Sequence, residues 1–256
     1  MSGAWTFLFS KKGILAGTLS GRHLTVRGTG VMSQPWPSVF STVINVYKKE
    51  LYDSQFEAGK RVATYSDRCF VDHLLFKPVW PTSPREFLNV VSWRVEDGKI
   101  YIAATEATGL EGEYAAPTKG RVRGVCVIGG WVIEKDPDSA GTKVSIVVSS
   151  DLKGGLPSSI VGAVTRQQAM FPRIIEKWIS QEGGGGGATG WDAPSPDVTD
   201  EEVVNVVRKL PRSVRFDAES AAAAPPTPPA GERRARSEHA TRLRRRVYAI
   251  TSRCCC

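Results

Sequence analysis

Residues 121–180 decide the fold of this chain and read RVRGVCVIGGWVIEKDPDSAGTKVSIVVSSDLKGGLPSSIVGAVTRQQAMFPRIIEKWIS. Two apolar, strand-like runs at 122–133 and 143–150 flank residues 136–141, which are rich in the residue types that stabilise turns. In the second run apolar and polar residues alternate, as a strand with one buried face requires. The stretch therefore predicts a long antiparallel hairpin.

A helix is predicted to follow this hairpin and to close the domain. Gly154 and Gly155 break the second strand, and Pro157 suits a first helical turn because its missing N–H has no intrahelical partner there. Apolar residues then recur at helical spacing on one stripe. Its members are Ile160, Ala163, Val164, Phe171, Ile174, Ile175 and Trp178. Pro172 removes a hydrogen bond and clashes with the carbonyl of Gln168, so a kink that can act as a hinge is expected.

The residues before the hairpin predict more antiparallel strands and one short helix. Extended patterns occur at 13–32 and 60–76, and an amphipathic segment at 36–47 has the spacing of a helix. The runs at 85–94 and 99–105 are joined through Asp97-Gly98, a strong hairpin signal. The fold class expected is α+β, with a curved antiparallel sheet wrapped around a long C-terminal helix.

Composition divides the 256 residues into a domain at 1–182 and a tail at 183–256. A glycine linker at 183–187 opens the tail, an Ala/Pro segment occupies 221–230, and disorder is expected there. The chain carries a net charge of +8, and arginines cluster near its end, so the tail is expected to meet an anionic membrane surface. Cys254, Cys255 and Cys256 are candidates for acylation or prenylation. A solvated tail of biased composition is the alternative.

The location of the protein is expected to be cytoplasmic, with peripheral membrane attachment through the tail. No secretory signal precedes the apolar residues 5–9, and no run reaches the length of a membrane span. In a reducing compartment Cys69 and Cys126, each inside an apolar run, are predicted to be buried free thiols. A monomer is expected.

The search for catalytic or metal-binding motifs finds none with supporting residues. His73 follows Cys69 by four residues, but no CxxC or HxxxH accompanies them, and a histidine packed in the core or on the sheet is the better interpretation. Neither a nucleophile elbow, a dinucleotide fingerprint nor a P-loop is complete. We therefore predict no enzyme, no metal and no cofactor. An enzyme would need a polar pair inside a cavity, and Glu106 or Asp151 opposite His73 is the pair to test.

Six short motifs, in order, resemble the START family of lipid-binding and lipid-transfer domains. They are RGTGV at 27–31, SPREF at 83–87, SWR at 92–94, GRVRG at 120–124, GWVI at 130–133 and DLKGGLP at 151–157. The resemblance implies a helix-grip fold that encloses one lipid and has no general catalytic apparatus. Family members usually begin with a helix that is short or missing here. Val91 occupies a position where many members carry a buried arginine, which implies a more apolar cavity.

The resemblance makes a lipid-binding or lipid-transfer protein the leading prediction, with a sterol, a phospholipid or a similar lipid as ligand and no nucleic acid as partner. Candidate cavity residues are Trp93, Val125, Val127, Trp131, Val148, Val164, Phe171 and Ile175. The patterning alone suits a fully packed core equally well. Val79, Trp80, Pro81 and Leu156 are candidates for a lid, and a static loop packed on Trp178 is the alternative. A helix-grip hydrolase or cyclase and a membrane-tethered interaction module remain as other functions.

Overall fold

A computed structural model describes residues 5–19, 23, 25–109, 111–114, 116–181 and 198–210. Its strands are β1 Thr6–Lys11, β2 Ile14–Leu19, β3 Thr25–Met32, β4 Phe56–Ser66, β5 Cys69–Phe76, β6 Arg85–Glu96, β7 Lys99–Glu106, β8 Val122–Arg123, β9 Val125–Lys135 and β10 Thr142–Asp151. Its α-helices are α1 Trp36–Val43, α2 Lys49–Tyr52, α3 Ser158–Ala169, α4 Phe171–Gln181 and α5 Asp200–Lys209. Short 3₁₀ turns lie at Val46–Lys48 and Gly112–Tyr114.

The described strands form one sheet in the order β1-β2-β3-β10-β9-β7-β6-β5-β4, and all of these neighbours are antiparallel. The short β8 pairs with β6 in parallel. Chain neighbours are mostly sheet neighbours because tight hairpins join them. The predicted α+β class and the helix-grip arrangement are confirmed, with a curved antiparallel sheet covered by the C-terminal helices.

The two hairpins predicted from turn chemistry are present. Asp97 and Gly98 both have positive φ, at 48° and 68°, the conformation that a two-residue hairpin of the β6–β7 type needs. At the β9–β10 turn the Asp136 amide donates to the Gly141 carbonyl over 3.0 Å, and Ser139 Oγ donates to the Asp136 carboxylate over 2.6 Å. The two turns fix the register of their strand pairs.

The C-terminal helix is divided where the sequence predicted one kinked helix. α3 ends at Ala169, Met170 caps it, and α4 begins at Phe171. Pro172 lies in the first turn of α4, where a missing N–H leaves no helical hydrogen bond unmade. The break is therefore a boundary between two helices. It lies at Met170, two residues after Gln168, where the sequence predicted a clash with Pro172.

The junction of α3 and α4 rests directly on the sheet at β3. A Cβ atom added to Gly28 would stand 2.0 Å from the Ala169 carbonyl oxygen, so only glycine allows this approach. Further along α4, the Ser33 amide donates to Glu176 over 3.0 Å and Gln34 Nε2 donates to Ser180 Oγ over 2.6 Å. α4 is thus anchored along its length to the segment that leads into α1.

The main core lies between α1, α4 and the concave side of the sheet. Phe40 and Trp93 pack edge to face with ring centroids 5.6 Å apart, and the indole of Trp93 donates to the Asp67 carbonyl over 2.8 Å. Ile133 and Ile175 are completely buried in the same cluster. A separate apolar cluster on β5 and β6 is covered by Tyr114 of the β7–β8 connection.

The packed unit extends beyond the boundary expected at residue 182. Val198, Val203 and Val207 are buried in the main core, and the Val198 amide donates to the Gly98 carbonyl over 2.9 Å. A capping box at Thr199 starts α5, with the Glu202 carboxylate accepting from the Thr199 amide. The valines at positions i and i+4 of α5 form an apolar stripe that needs an apolar surface to cover it, and α1 and β6 provide one.

The remaining tail predictions, including the glycine linker at 183–187, the arginine cluster and Cys254 to Cys256, lie outside the described residues. Among the helices that the structure describes, none combines the length and the apolar character needed to cross a membrane.

Candidate functional site

A cavity of about 200 Å³ lies between the concave side of the sheet and the helices. Its wall comes from α1, the following turn and α2, from the five strands β5, β6, β7, β9 and β10, and from the α3–α4 junction. The apolar and aromatic members include Val43, Ile44, Val46, Tyr52, Phe70, Leu74, Phe76, Phe87, Val91, Ile102, Trp131, Ile146, Val148 and Phe171. The polar members include Asn45, Lys49, Asp72, Asn89, Cys126, Ser150 and Gln168. A mostly apolar wall with a few polar groups is the usual composition of a ligand pocket.

Three of the eight candidate cavity residues, Trp131, Val148 and Phe171, lie on this wall. Trp93 and Ile175 belong instead to the packed core. The other three candidates, Val125, Val127 and Val164, are outside the wall, and the Val127 side chain is 36% exposed. A bulge between Ile128 and Cys126 changes the alternation along β9, so simple period-two counting from Trp131 does not reach Val125 and Val127 correctly.

The eight candidates did not include the cavity residues on α1 and on β5 to β7, although the resemblance had placed Val91 at the cavity. Phe87, Asn89 and Val91 lie at alternate positions of β6 and share the concave face, as their spacing in the sequence allows. Val43, Ile44 and Val46, in the segment predicted as an amphipathic helix at 36–47, also line the cavity.

A buried ion pair lies beside the cavity. Arg61 of β4 holds Asp72 of β5 through two bonds, from Nε over 2.9 Å and from Nη2 over 3.3 Å, and both side chains are more than nine-tenths buried. The guanidinium also donates to the Ile44 carbonyl over 3.1 Å and lies 3.3 Å from the ring centroid of Phe70. Burial raises the pKa of Asp72, and the pairing with Arg61 offsets part of that rise. Arg61 thus places a guanidinium over Phe70, which is paired with the apolar Val91 on β6.

Lys49 is the second charged residue of the cavity wall, after Asp72. Its ammonium lies 2.8 Å from the Asp53 carboxylate. The same nitrogen lies 4.7 Å from the ring centroid of Phe171, and between 5.6 and 5.8 Å from those of Tyr52, Phe56 and Phe76. These cation–π contacts connect α2, β4, β5 and α4 around one side of the cavity.

The buried carboxylate of Glu86 organises the β7–β8 connection. It accepts from Arg123 Nε over 2.7 Å, from the Thr118 amide over 3.2 Å and from His73 Nε2 over 3.1 Å. Arg123 also donates to the Tyr114 carbonyl over 2.9 Å. Burial alone would raise the pKa of Glu86, but these hydrogen bonds together lower it to about 2. The group is therefore a charged structural anchor.

His73 does not lie opposite Glu106 or Asp151. His73 lies on β5 one residue along from Asp72, pointing away from the cavity side, and its partner is Glu86. Asp151 is engaged by Lys153, whose ammonium lies 2.8 Å away and whose amide donates over 2.9 Å. Glu106 is exposed and is not among the wall residues. The described residues contain no cluster of three or more potential metal ligands.

The candidate lid at 77–84 joins β5 to β6. Trp80 is 90% exposed, Pro81 is exposed, and Val79 and Leu156 are half-buried. Arg85 connects the end of this loop to the segment before α3, donating to the carbonyls of Leu152 over 3.3 Å and Lys153 over 3.2 Å. The alternative was a static loop packed on Trp178. The indole of Trp80 is too exposed for this packing, and Trp178 contacts Tyr52 and Lys48 instead.

The fold and this cavity define a helix-grip protein with an internal pocket. The family model of the START domain matches residues 12–173, so the chain belongs to the START domain family. A sequence comparison with curated proteins finds no match.

Solved structures with the same fold include two human proteins and one bacterial protein. Human StAR-related lipid transfer protein 5 has 20% identity and a TM-score of 0.64, over 72% of this chain and 89% of that chain. Human STARD10 has 16% identity and a TM-score of 0.60, over 77% and 85%. The STAR-related lipid transfer protein of Xanthomonas axonopodis has 17% identity and a TM-score of 0.57, over 69% and 99%. At sequence identities this low, the similarity to these structures shows a shared fold and no more.

Proposed function

We propose that the protein takes one lipid into the cavity between the sheet and the α3–α4 junction, for intracellular lipid transfer or sensing. The observation that carries this proposal is the cavity itself, because its wall is largely apolar and its lining residues come from elements that are distant in sequence. Membership of the START family and the name of one similar human protein, StAR-related lipid transfer protein 5, support it. A cytoplasmic monomer is the form we propose.

The cavity must enlarge during uptake. Its volume of about 200 Å³ is below the roughly 300–1,000 Å³ of pockets that enclose drug-sized ligands, and a whole lipid is at least that large. The break at Met170 divides the covering helix into two parts that can move separately, and the loop at 77–84 is bonded to the segment before α3 through Arg85. We therefore assign both to the opening movement.

Replacing Val148 with glutamate is expected to reduce lipid uptake at least about tenfold, because an unpaired charge on an apolar wall is costly to bury. The measurement is the amount of lipid, identified by mass spectrometry, that the purified protein retains from a total lipid extract. Val31→Glu is the matched control, because it adds the same charge on the neighbouring strand at a side chain that is 50% exposed and does not line the cavity. Failure of the wild type to retain any lipid would refute the proposed function.

The loop at 77–84 is the proposed contact with the membrane, with the basic tail as a second contact. An indole that is 90% exposed favours the membrane interface, and Lys77 and Lys153 place ammonium groups on the adjoining segments. Acylation or prenylation at Cys254, Cys255 and Cys256 would strengthen the attachment. This arrangement would bring the cavity to the bilayer from which the lipid is taken.

Trp80→Ser is expected to weaken binding to vesicles of phosphatidylcholine and phosphatidylserine by about three- to tenfold, from the apolar area that no longer enters the interface. Co-sedimentation of the full chain measures the effect. Tyr65→Ser is the control, because it removes another exposed aromatic side chain, which is 45% exposed, outside the loop. Tyr65 precedes β5, whereas Trp80 follows that strand. Equal losses in both variants would argue against the loop as the contact site.

A further inference from the structure

Asn89 presents an unused hydrogen-bond acceptor at the cavity. The residue lines the cavity from β6 and is 7% exposed, and its Oδ1 atom has no hydrogen-bond partner among the described residues. Buried polar atoms are nearly always paired, so an unpaired acceptor beside a cavity marks a place where another molecule can supply the donor. Asn89 also faces Asp72 directly across the β5–β6 ladder.

The charged groups of the cavity wall are already paired with other protein groups. Asp72 receives two bonds from Arg61, and the ammonium of Lys49 lies 2.8 Å from Asp53. The thiol of Cys126 donates to the Ala104 carbonyl over 3.7 Å, and burial raises its pKa to about 12, which keeps it neutral. A ligand charge placed at this depth would have to disrupt one of these pairs to find a partner.

We propose that Asn89 selects lipids whose buried end carries a neutral hydrogen-bond donor, a hydroxyl or an amide N–H. This inference rests on the proposed lipid-binding function and adds the class of ligand to it. A hydroxyl or an amide N–H pairs with Oδ1 without requiring a counter-charge, whereas a phosphate has no hydrogen to donate to it. An ammonium group could donate, but its charge would remain uncompensated beside Arg61 and Lys49.

The test compares lipids that differ only in the donor. Cholesterol and cholesteryl methyl ether form one matched pair, and ceramide and its O-methylated, N-methylated derivative form another. The wild type is expected to bind the donor-bearing member of the preferred pair about tenfold more tightly, since the ether or tertiary amide leaves the buried acceptor unpaired. The pair that shows the difference distinguishes a sterol from a ceramide as the source of the donor.

Asn89→Leu removes the acceptor at similar volume and is expected to reduce this ratio to about one. Val31→Ala changes a half-exposed residue of β3 that does not line the cavity, and it should retain the ratio. The wild-type comparison needs no variant, so it decides the question even if Asn89→Leu does not fold. Equal affinity for both members of each pair, or tighter binding of a phospholipid than of any donor-bearing neutral lipid, overturns the inference. Absence of binding to every lipid would instead refute the proposed function.

Discussion

Replacing Glu86 with glutamine is expected to lower the free energy of unfolding by about 3 kcal/mol near neutral pH. The Glu86 side chain is completely buried and accepts hydrogen bonds from Arg123, His73 and the Thr118 amide. A glutamine of the same shape has one accepting oxygen and a donating NH2 group in place of the second, and it leaves the Arg123 guanidinium, which is only 20% exposed, without its carboxylate.

The pH dependence of stability should change in the same variant. The pKa of Glu86 is about 2 in the folded protein and ordinarily 4.5, so the unfolded chain takes up this proton first as the pH falls. The stabilisation is therefore complete above pH 4.5 and is lost as the pH falls towards 2. Asp72 is present in both proteins, so its own titration contributes to both profiles.

Urea unfolding of the wild type and Glu86→Gln between neutral pH and pH 2 measures both effects. The difference between the two proteins should shrink as the pH falls through this window. Glu57→Gln is the control, because Glu57 forms an ion pair with Arg121 but is 39% exposed, and removal of an exposed pair should cost at most about 1 kcal/mol. Parallel stability profiles for the wild type and Glu86→Gln would rule out the carboxylate as the acid-sensitive anchor.

The hairpins could be predicted from the sequence because their signals are local. Asp97-Gly98 adopts the positive φ values that this dipeptide tolerates, and the 136–141 segment closes its own turn through hydrogen bonds. The signal at Pro172 was also local, but the structure has a helix boundary at Met170 instead of a kink within one helix, because a proline is tolerated in the first turn of a helix.

The cavity was only partly predictable because its wall depends on register. Arg61 reaches Asp72 through a β4–β5 ladder whose register shifts between Arg61 and Ala63, and no short-range pattern encodes that shift. The wall positions of Phe87, Asn89 and Val91 follow from β6 once its inner face is known, but the sequence alone does not say which face is inner.

The packing of α5 was missed for a different reason. Its valine stripe predicts a helix, but a glycine linker and an Ala/Pro segment on either side have the composition of a tail. Val203 is nevertheless completely buried, and the Arg68–Asp200 ion pair adds a contact at the start of the helix. A partner surface distant in sequence decides whether such a helix docks.

Gly28→Ala is expected to lower the free energy of unfolding by about 3 kcal/mol and to impair lipid binding. The added Cβ would lie 2.0 Å from the Ala169 oxygen and 2.8 Å from its carbonyl carbon, so the α3–α4 junction itself would have to move. Gln168 and Phe171 flank that junction and line the cavity, which means that the same displacement alters the wall. Stability follows from urea unfolding and binding from lipid retention.

Gly17→Ala on the adjacent strand is the control for Gly28→Ala. Gly17 pairs with Arg27, one residue before Gly28, and its added Cβ would find its nearest atom, the Thr6 oxygen, at 3.4 Å. Both variants gain the same backbone preference of alanine over glycine in a strand, so the difference between them isolates the contact with α3. If Gly28→Ala is as stable as Gly17→Ala and retains lipid equally, the close approach of the helix junction to β3 does not determine the shape of the cavity wall. If Gly28→Ala alone loses both properties, the position of the helix junction controls the stability of the fold and the shape of the cavity wall together.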